Sequence, residues 1–150
     1  MRDYRQFYIN GEWVDPLESN DLEVINPANE EVCAVISLGG EGDVNRAVAA
    51  AKQAFTSFSR TSQQEWVELL ESCVEVYKKR YDDIAVAIRE EMGSPQTFAV
   101  EEQADCGLGH LAEALRVLRT FEFEEDVANA RVFKEPIGVC GLITPWNWPV

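Results

Sequence analysis

The residues best suited to chemistry lie near the end of the sequence, where Pro145 is followed by Trp146-Asn147-Trp148 and then Pro149. An asparagine amide donates N–H without carrying a charge, which suits a site that must stabilise an oxyanion appearing only during a reaction. Asparagine also caps turns by bonding its own backbone, and just before Pro149 it fits that plainer role. On this segment alone both readings stand. What precedes it bears on the choice. Ile137 to Ile143 is short, apolar apart from its glycines and rich in β-branched residues, which predicts a strand buried on both faces, as in parallel α/β sheets. Pro145 cannot donate to a ladder and ends the strand. Ligands of open α/β sheets bind beyond the carboxyl ends of strands, so Trp146, Asn147 and Trp148 are expected at the mouth of a site.

Other residue types with chemical potential read more quietly. Cys33, Cys73, Cys106 and Cys140 form no C-x-x-C pair and have no histidine at ligand spacing, so they are expected to be reduced core thiols rather than a zinc or dithiol site. Cys140 lies close to Asn147, but inside a buried strand a thiol is inert. The single histidine, His110, can build neither a multi-histidine metal site nor a local dyad and is expected to pack. Gly39-Gly40-Glu41-Gly42-Asp43 lacks the spacing of a phosphate loop and carries two carboxylates that would repel pyrophosphate, so it reads as a loop and helix start. Acidic runs such as Glu101-Glu102 and Glu124-Glu125-Asp126 read as solvated faces.

The elements that must position these residues follow from periodicity. Asn10-Gly11 between Phe7, Ile9 and Trp13 is the strongest short hairpin signal, and Val24, Val32, Val35 and Ile36 flank a second turn at Asn26-Pro27. A small antiparallel layer is expected. From Asp43 the apolar spacing becomes helical through Val44, Ala47, Val48, Ala51, Phe55 and Phe58. Ser62 with Glu65 forms a capping box ahead of a second helix with the stripe Trp66, Leu69, Leu70, Cys73 and Tyr77. Asp82-Asp83 is expected to cap a third helix ending at Gly93. Pro95 opens a fourth, Gln96 to about Leu118, whose interior Gly107 and Gly109 imply close approach of another backbone. Phe121-Glu122-Phe123-Glu124, a turn near Asn129, and Val132-Phe133 predict a hairpin.

Composition excludes several classes. With 46% hydrophobic and 27% charged residues the chain has the makings of a folded, soluble domain. A net charge of -14 argues against nucleic acid or an anionic membrane surface as partner, since both require basic patches. No apolar stretch reaches the ~20 residues of a membrane span and the start does not resemble a signal peptide, so a cytoplasmic location is expected.

Taken together, Gly138-Val139-Cys140-Gly141-Leu142-Ile143-Thr144-Pro145-Trp146-Asn147-Trp148-Pro149 resembles the Pro-Trp-Asn signature of the NAD(P)-dependent aldehyde dehydrogenase superfamily. Phe7 to Val14, Val24 to Val32, Gly42 to Phe55 and Glu91-Met92-Gly93-Ser94-Pro95 resemble further landmarks of that family. The likeness runs along the whole sequence and covers the beginning of the fold. It implies an α/β architecture in which residues 1–118 start the cofactor-binding domain with hairpins and helices. Residues 119–135 would be a hairpin of the oligomerisation domain, and residues 136–150 a strand and the Pro-Trp-Asn loop. Without the resemblance, a hairpin packed on its own chain is the simpler reading.

The same resemblance implies oxidation of an aldehyde to an acid with NAD or NADP as acceptor, through a cysteine adduct whose oxyanion takes the Asn147 amide. The main chain of Ile143, Thr144 and Pro145, with the Trp146 side chain, would line the cofactor cleft, and Trp148 would border the aldehyde tunnel. The plain alternatives are a core anchor for Trp146 and a buried lid for Trp148. Some family members hold a monovalent cation at positions matching Val24, Ile25 and Glu91, where a glutamate replaces the aspartate of some relatives. The nucleophilic cysteine, the general-base glutamate and the ribose-binding lysine are expected beyond Val150, in a homodimer or homotetramer. A short non-catalytic protein that binds cofactor or a partner is the competing reading.

Overall fold

In the computed structural model, which describes residues 1–150, five short strands precede the first helix: β1 (Arg2–Tyr4), β2 (Phe7–Ile9), β3 (Glu12–Val14), β4 (Asp21–Asn26) and β5 (Glu31–Ser37). β2 and β3 pair antiparallel, with Phe7 opposite Val14. Asn10 (φ 55°) and Gly11 (φ 84°) both adopt the left-handed conformation that a tight hairpin turn requires, as the dipeptide predicts. β4 and β5 pair antiparallel across the Asn-Pro turn. There Asn26 Oδ1 accepts the Ala28 N–H at 2.9 Å and Asn29 Oδ1 accepts the Glu31 N–H at 3.1 Å, so side chains substitute for backbone partners in the turn. The layer is not purely antiparallel, because β1 runs parallel to β5 and gives the order β1-β5-β4. Arg-Asp-Tyr is too short and polar to carry a strand period. Ion pairs stitch this edge in place, Arg2 to Glu90 on a helix and Arg5 to Asp3 (2.6 Å) and Asp21 (3.2 Å).

The glycine-rich stretch opens α1 (Glu41–Phe58). Asp43 is buried there, accepting the Gly40 N–H at 3.1 Å and the Leu17 N–H at 3.0 Å, so one carboxylate caps the helix and fastens the loop after β3. α2 (Gln63–Lys79) begins with the expected box: Ser62 N–H donates to Glu65 Oε2 at 2.8 Å and Glu65 N–H to Ser62 Oγ at 3.3 Å. α3 (Tyr81–Met92) differs at its start, where Arg80 is the cap and Asp82 and Asp83 lie inside the first turn. Their charge complements the positive end of the helix from there. Gly93 closes α3 at φ 67°, and a Cβ added to it would meet Pro27 Cγ at 2.7 Å.

The expected fourth helix is one rod in three parts: α4 (Gln96–Phe98), a π-helical turn (Ala99–Ala104) and α5 (Asp105–Leu118). A π turn aligns residues five apart, and Ala99 and Ala104 accordingly face the same way, into a cluster with Ala85 and Ile88. Such a turn frees backbone carbonyls that need other partners. Tyr81 Oη donates to Val100 O at 2.5 Å and Tyr77 Oη to Ala104 O at 2.8 Å. Burial, foremost, pushes both phenols above their ordinary range, which keeps them protonated as donors. The expected close approach of another backbone is not found: Gly107 has the Tyr77 side chain against it, and Gly109 meets nothing within 4 Å of an added Cβ.

A hairpin of β6 (Glu124–Val127) and β7 (Ala130–Phe133) follows, turning at Ala128 (φ 54°). Its first strand starts at Glu124, later than alternation suggests, because Phe121 and Phe123 pack edge to face on each other at 4.8 Å. The largest correction concerns Ile137 to Ile143, which forms no strand and is not buried: Ile137 is 94% and Ile143 100% exposed. A doubly covered strand needs ladder partners and flanking helices, and residues 1–150 supply neither for it. The same shortage shows throughout, since only 10 of 150 residues are buried and the apolar stripe of α1 is largely open.

Candidate functional site

The Pro-Trp-Asn segment lies on the surface, docked to the helical rod rather than at the end of a sheet strand. Trp148, 38% exposed, packs its indole edge to face on Phe98 of α4, with ring centres 5.7 Å apart. The main-chain carbonyl of Asn147 accepts Gln103 Nε2 at 3.1 Å. Trp146 is 87% exposed and Asn147 is exposed beside it. Ile143, Thr144 and Pro145 lead to it as irregular, exposed chain. The turn-cap role for Asn147 requires its side chain to bond the backbone, but the bond present runs through its carbonyl. Trp146, 87% exposed, does not anchor a core among these residues, whereas Trp148 is partly covered by Phe98.

Sequence reasoning overlooked Gln103. It is 2% exposed, takes the Ser94 hydroxyl on Oε1 at 2.7 Å, and directs Nε2 to Asn147 O and, at 3.8 Å, to Met92 Sδ. Flanked by the exposed Glu101 and Glu102, it looks from the sequence like part of a solvated face. The π turn rotates it inward, and no local signal announces that turn.

Several expectations for other residues need correction. Cys140 is exposed rather than inert in a core, as is Cys73, while Cys33 and Cys106 are half-buried; all four are free thiols. His110 is exposed on α5 rather than packed. Near the Asn-Pro turn, Glu91 is exposed to solvent, and the carboxylates that line the recess with Asn26, Asn29 and Cys33 are Glu31 and Glu90, the latter paired with Arg2. Val24 O accepts the Cys33 thiol at 3.3 Å. No group of three or more His, Cys, Asp or Glu side chains is placed to hold a metal ion.

Three antiparallel hairpins, a helical rod with a π turn and a docked Pro-Trp-Asn segment make up a mixed arrangement of helices and strands. The model of the aldehyde dehydrogenase family matches residues 13–150, and the chain belongs to that family. Over 151 positions it is 52% identical to 3-succinoylsemialdehyde-pyridine dehydrogenase of a Pseudomonas species, covering 100% of this chain and 32% of that protein. The structure of a cysteine-to-alanine variant of Pseudomonas syringae aldehyde dehydrogenase C, complexed with NAD+ and octanal, superposes with a TM-score of 0.93 at 40% identity, covering 96% of this chain and 30% of the other. Bartonella henselae aldehyde dehydrogenase superposes with a TM-score of 0.84 at 41% identity, covering 86% and 27%. The chain thus has the fold of the N-terminal part of these enzymes and spans about a third of the length of the relatives it matches.

Proposed function

We propose that this chain is the N-terminal part of an NAD(P)-dependent aldehyde dehydrogenase that oxidises an aldehyde to a carboxylic acid through a cysteine thiohemiacetal. The observation that carries this reading is Pro145-Trp146-Asn147 standing within a match that runs the length of the chain. The aldehyde in the name of the Pseudomonas relative and the NAD+ and octanal bound to the Pseudomonas syringae enzyme support the substrate class and the cofactor.

The residues present suit a nicotinamide cofactor. Trp146 offers an indole face, and Ile143, Thr144 and Pro145 offer main-chain groups outside any helix or strand ladder. When bound, NAD(P)+ supplies the acceptor for the hydride that leaves the substrate carbon. Asn147 donates its amide to the oxygen that becomes negative when a thiolate, contributed from beyond these residues, adds to the aldehyde carbon. A neutral donor fixed in place stabilises that oxygen without favouring the uncharged aldehyde equally, so its contribution falls mainly in the transition state. Trp148 borders the aldehyde on the side of Phe98. Residues 119–135 contribute a hairpin to the contacts of a homodimer or homotetramer, a role suited to strands exposed along their whole length.

The test is spectrophotometric. A full-length chain carrying this segment is expected to reduce NAD+ or NADP+ only when an aldehyde is present, with one equivalent of acid formed per reduced nicotinamide. The 150-residue chain alone is expected to show no turnover. Aldehyde-dependent reduction by the short chain, or none by the full-length one across aliphatic and aromatic aldehydes, contradicts the proposal.

A further inference from the structure

We infer that Gln103 is a positioning residue for Asn147, setting the place of the oxyanion donor through a bond to its main chain; this rests on the proposed role of Asn147. Burying a carboxamide costs free energy unless its polar atoms are bonded, and Gln103 is the one large side chain that is almost wholly enclosed. Every bond it makes points toward this use. Its two N–H groups face two acceptors, Asn147 O and Met92 Sδ, while Oε1 receives the Ser94 hydroxyl. The amide therefore has one satisfied orientation, because turning it over would set Oε1 against the Asn147 carbonyl. Ser94 and Met92 flank the glycine that ends α3, and Gln103 sits in the π turn, so two elements converge on the bond.

What they hold is otherwise loose. Apart from the Trp148 contact with Phe98, the link from Gln103 is the tie between the Pro-Trp-Asn segment and the helices. It grips Asn147 at the carbonyl oxygen, two bonds from the Cα that bears the side chain, which restrains the side chain's origin. A π turn is a suitable mount, since its extra residue re-aims one side chain without breaking the helix. It lets Ala99 and Ala104 fill the core while Gln103 faces the segment.

The experiment uses a full-length enzyme carrying this segment, with Gln103→Met, which keeps volume and removes the donor, and Gln103→Glu, which sets an oxygen against the Asn147 carbonyl. A displacement of about 1 Å in a reacting geometry can cost about 100-fold, so kcat is expected to fall about 10- to 100-fold with the KM for cofactor unchanged. Combined with Asn147→Ala, neither change is expected to slow the enzyme further, because a residue acting only through Asn147 has nothing left to position. Should both Gln103 variants fail to fold, Ser94→Ala, which takes the hydroxyl partner from Oε1 and loosens the amide, is expected to give a smaller loss with the same non-additivity. Unchanged kcat in the Gln103 variants, or losses that multiply with that of Asn147→Ala, overturns the positioning role and leaves the oxyanion reading standing. An unaltered kcat for Asn147→Ala alone removes both.

Discussion

Replacing Asn147 with alanine in a full-length chain carrying this segment is expected to lower kcat by about 10²- to 10³-fold, the loss typical of one oxyanion donor. The KM for cofactor should stay nearly constant, because the cofactor contacts are assigned to Trp146 and to the main chain of Ile143, Thr144 and Pro145. The effect falls on kcat because the amide meets full negative charge only after the thiolate has added. Aldehyde and adduct differ at that oxygen by a formal charge, and the donor discriminates between them. Truncation should cost little stability, since the side chain is exposed and the carbonyl bonded by Gln103 is retained. Steady-state kinetics with saturating cofactor, beside a thermal melt, separate the two effects. A variant with wild-type kcat takes Asn147 out of the mechanism.

The second large effect is structural. An ideal Cβ on Gly107 lies 2.4 Å from Tyr77 Oη and 3.0 Å from Tyr77 Cζ, and that hydroxyl donates to Ala104 O at the end of the π turn. Helix propensity alone favours replacement of an interior glycine by alanine by about 1 kcal/mol. Overpacking costs about 1–3 kcal/mol, and loss of the tyrosine bond about another 1 kcal/mol, so the contact outweighs propensity. Gly107→Val, which adds bulk and a β-branch, is therefore expected to destabilise the full-length protein by about 3 kcal/mol. Gly109→Ala provides the control, because nothing lies within 4 Å of its Cβ and propensity acts there unopposed. Denaturant midpoints measure both. A Gly107→Val protein as stable as the parent would show that Tyr77 and the π turn can move aside at little cost.

What could be read from the sequence is what short-range chemistry dictates. Asn10-Gly11 specifies its turn because both residues tolerate positive φ, Ser62 and Glu65 specify a helix start, and Gly93 specifies a helix end. Gly107 likewise signals a close neighbour, though the neighbour is the Tyr77 side chain and not a backbone. What was not legible depends on partners far away in the chain. β1 exists because β5 has a free edge and Arg2 meets Glu90, neither of which three polar residues reveal. The π turn follows from two tyrosines on other helices bonding its carbonyls, and with it came the inward position of Gln103. Ile137 to Ile143, Cys140 and His110 are expected inside from residue type and pattern, yet no element among residues 1–150 packs over them and they stay exposed. The type and neighbours of Asn147 single it out in the sequence, whereas the bond from Gln103 to its carbonyl leaves no trace there.

The central claim is that the Asn147 amide faces the oxygen of the reacting aldehyde. The most direct measurement is a crystal structure of the full-length chain, its nucleophilic cysteine replaced by alanine, with NAD+ and a bound aldehyde. Asn147 Nδ2 is expected about 2.7–3.1 Å from the carbonyl oxygen, with the Gln103 bond to its main chain intact. An aldehyde oxygen held by other donors, with the Asn147 side chain turned to solvent, would contradict the account.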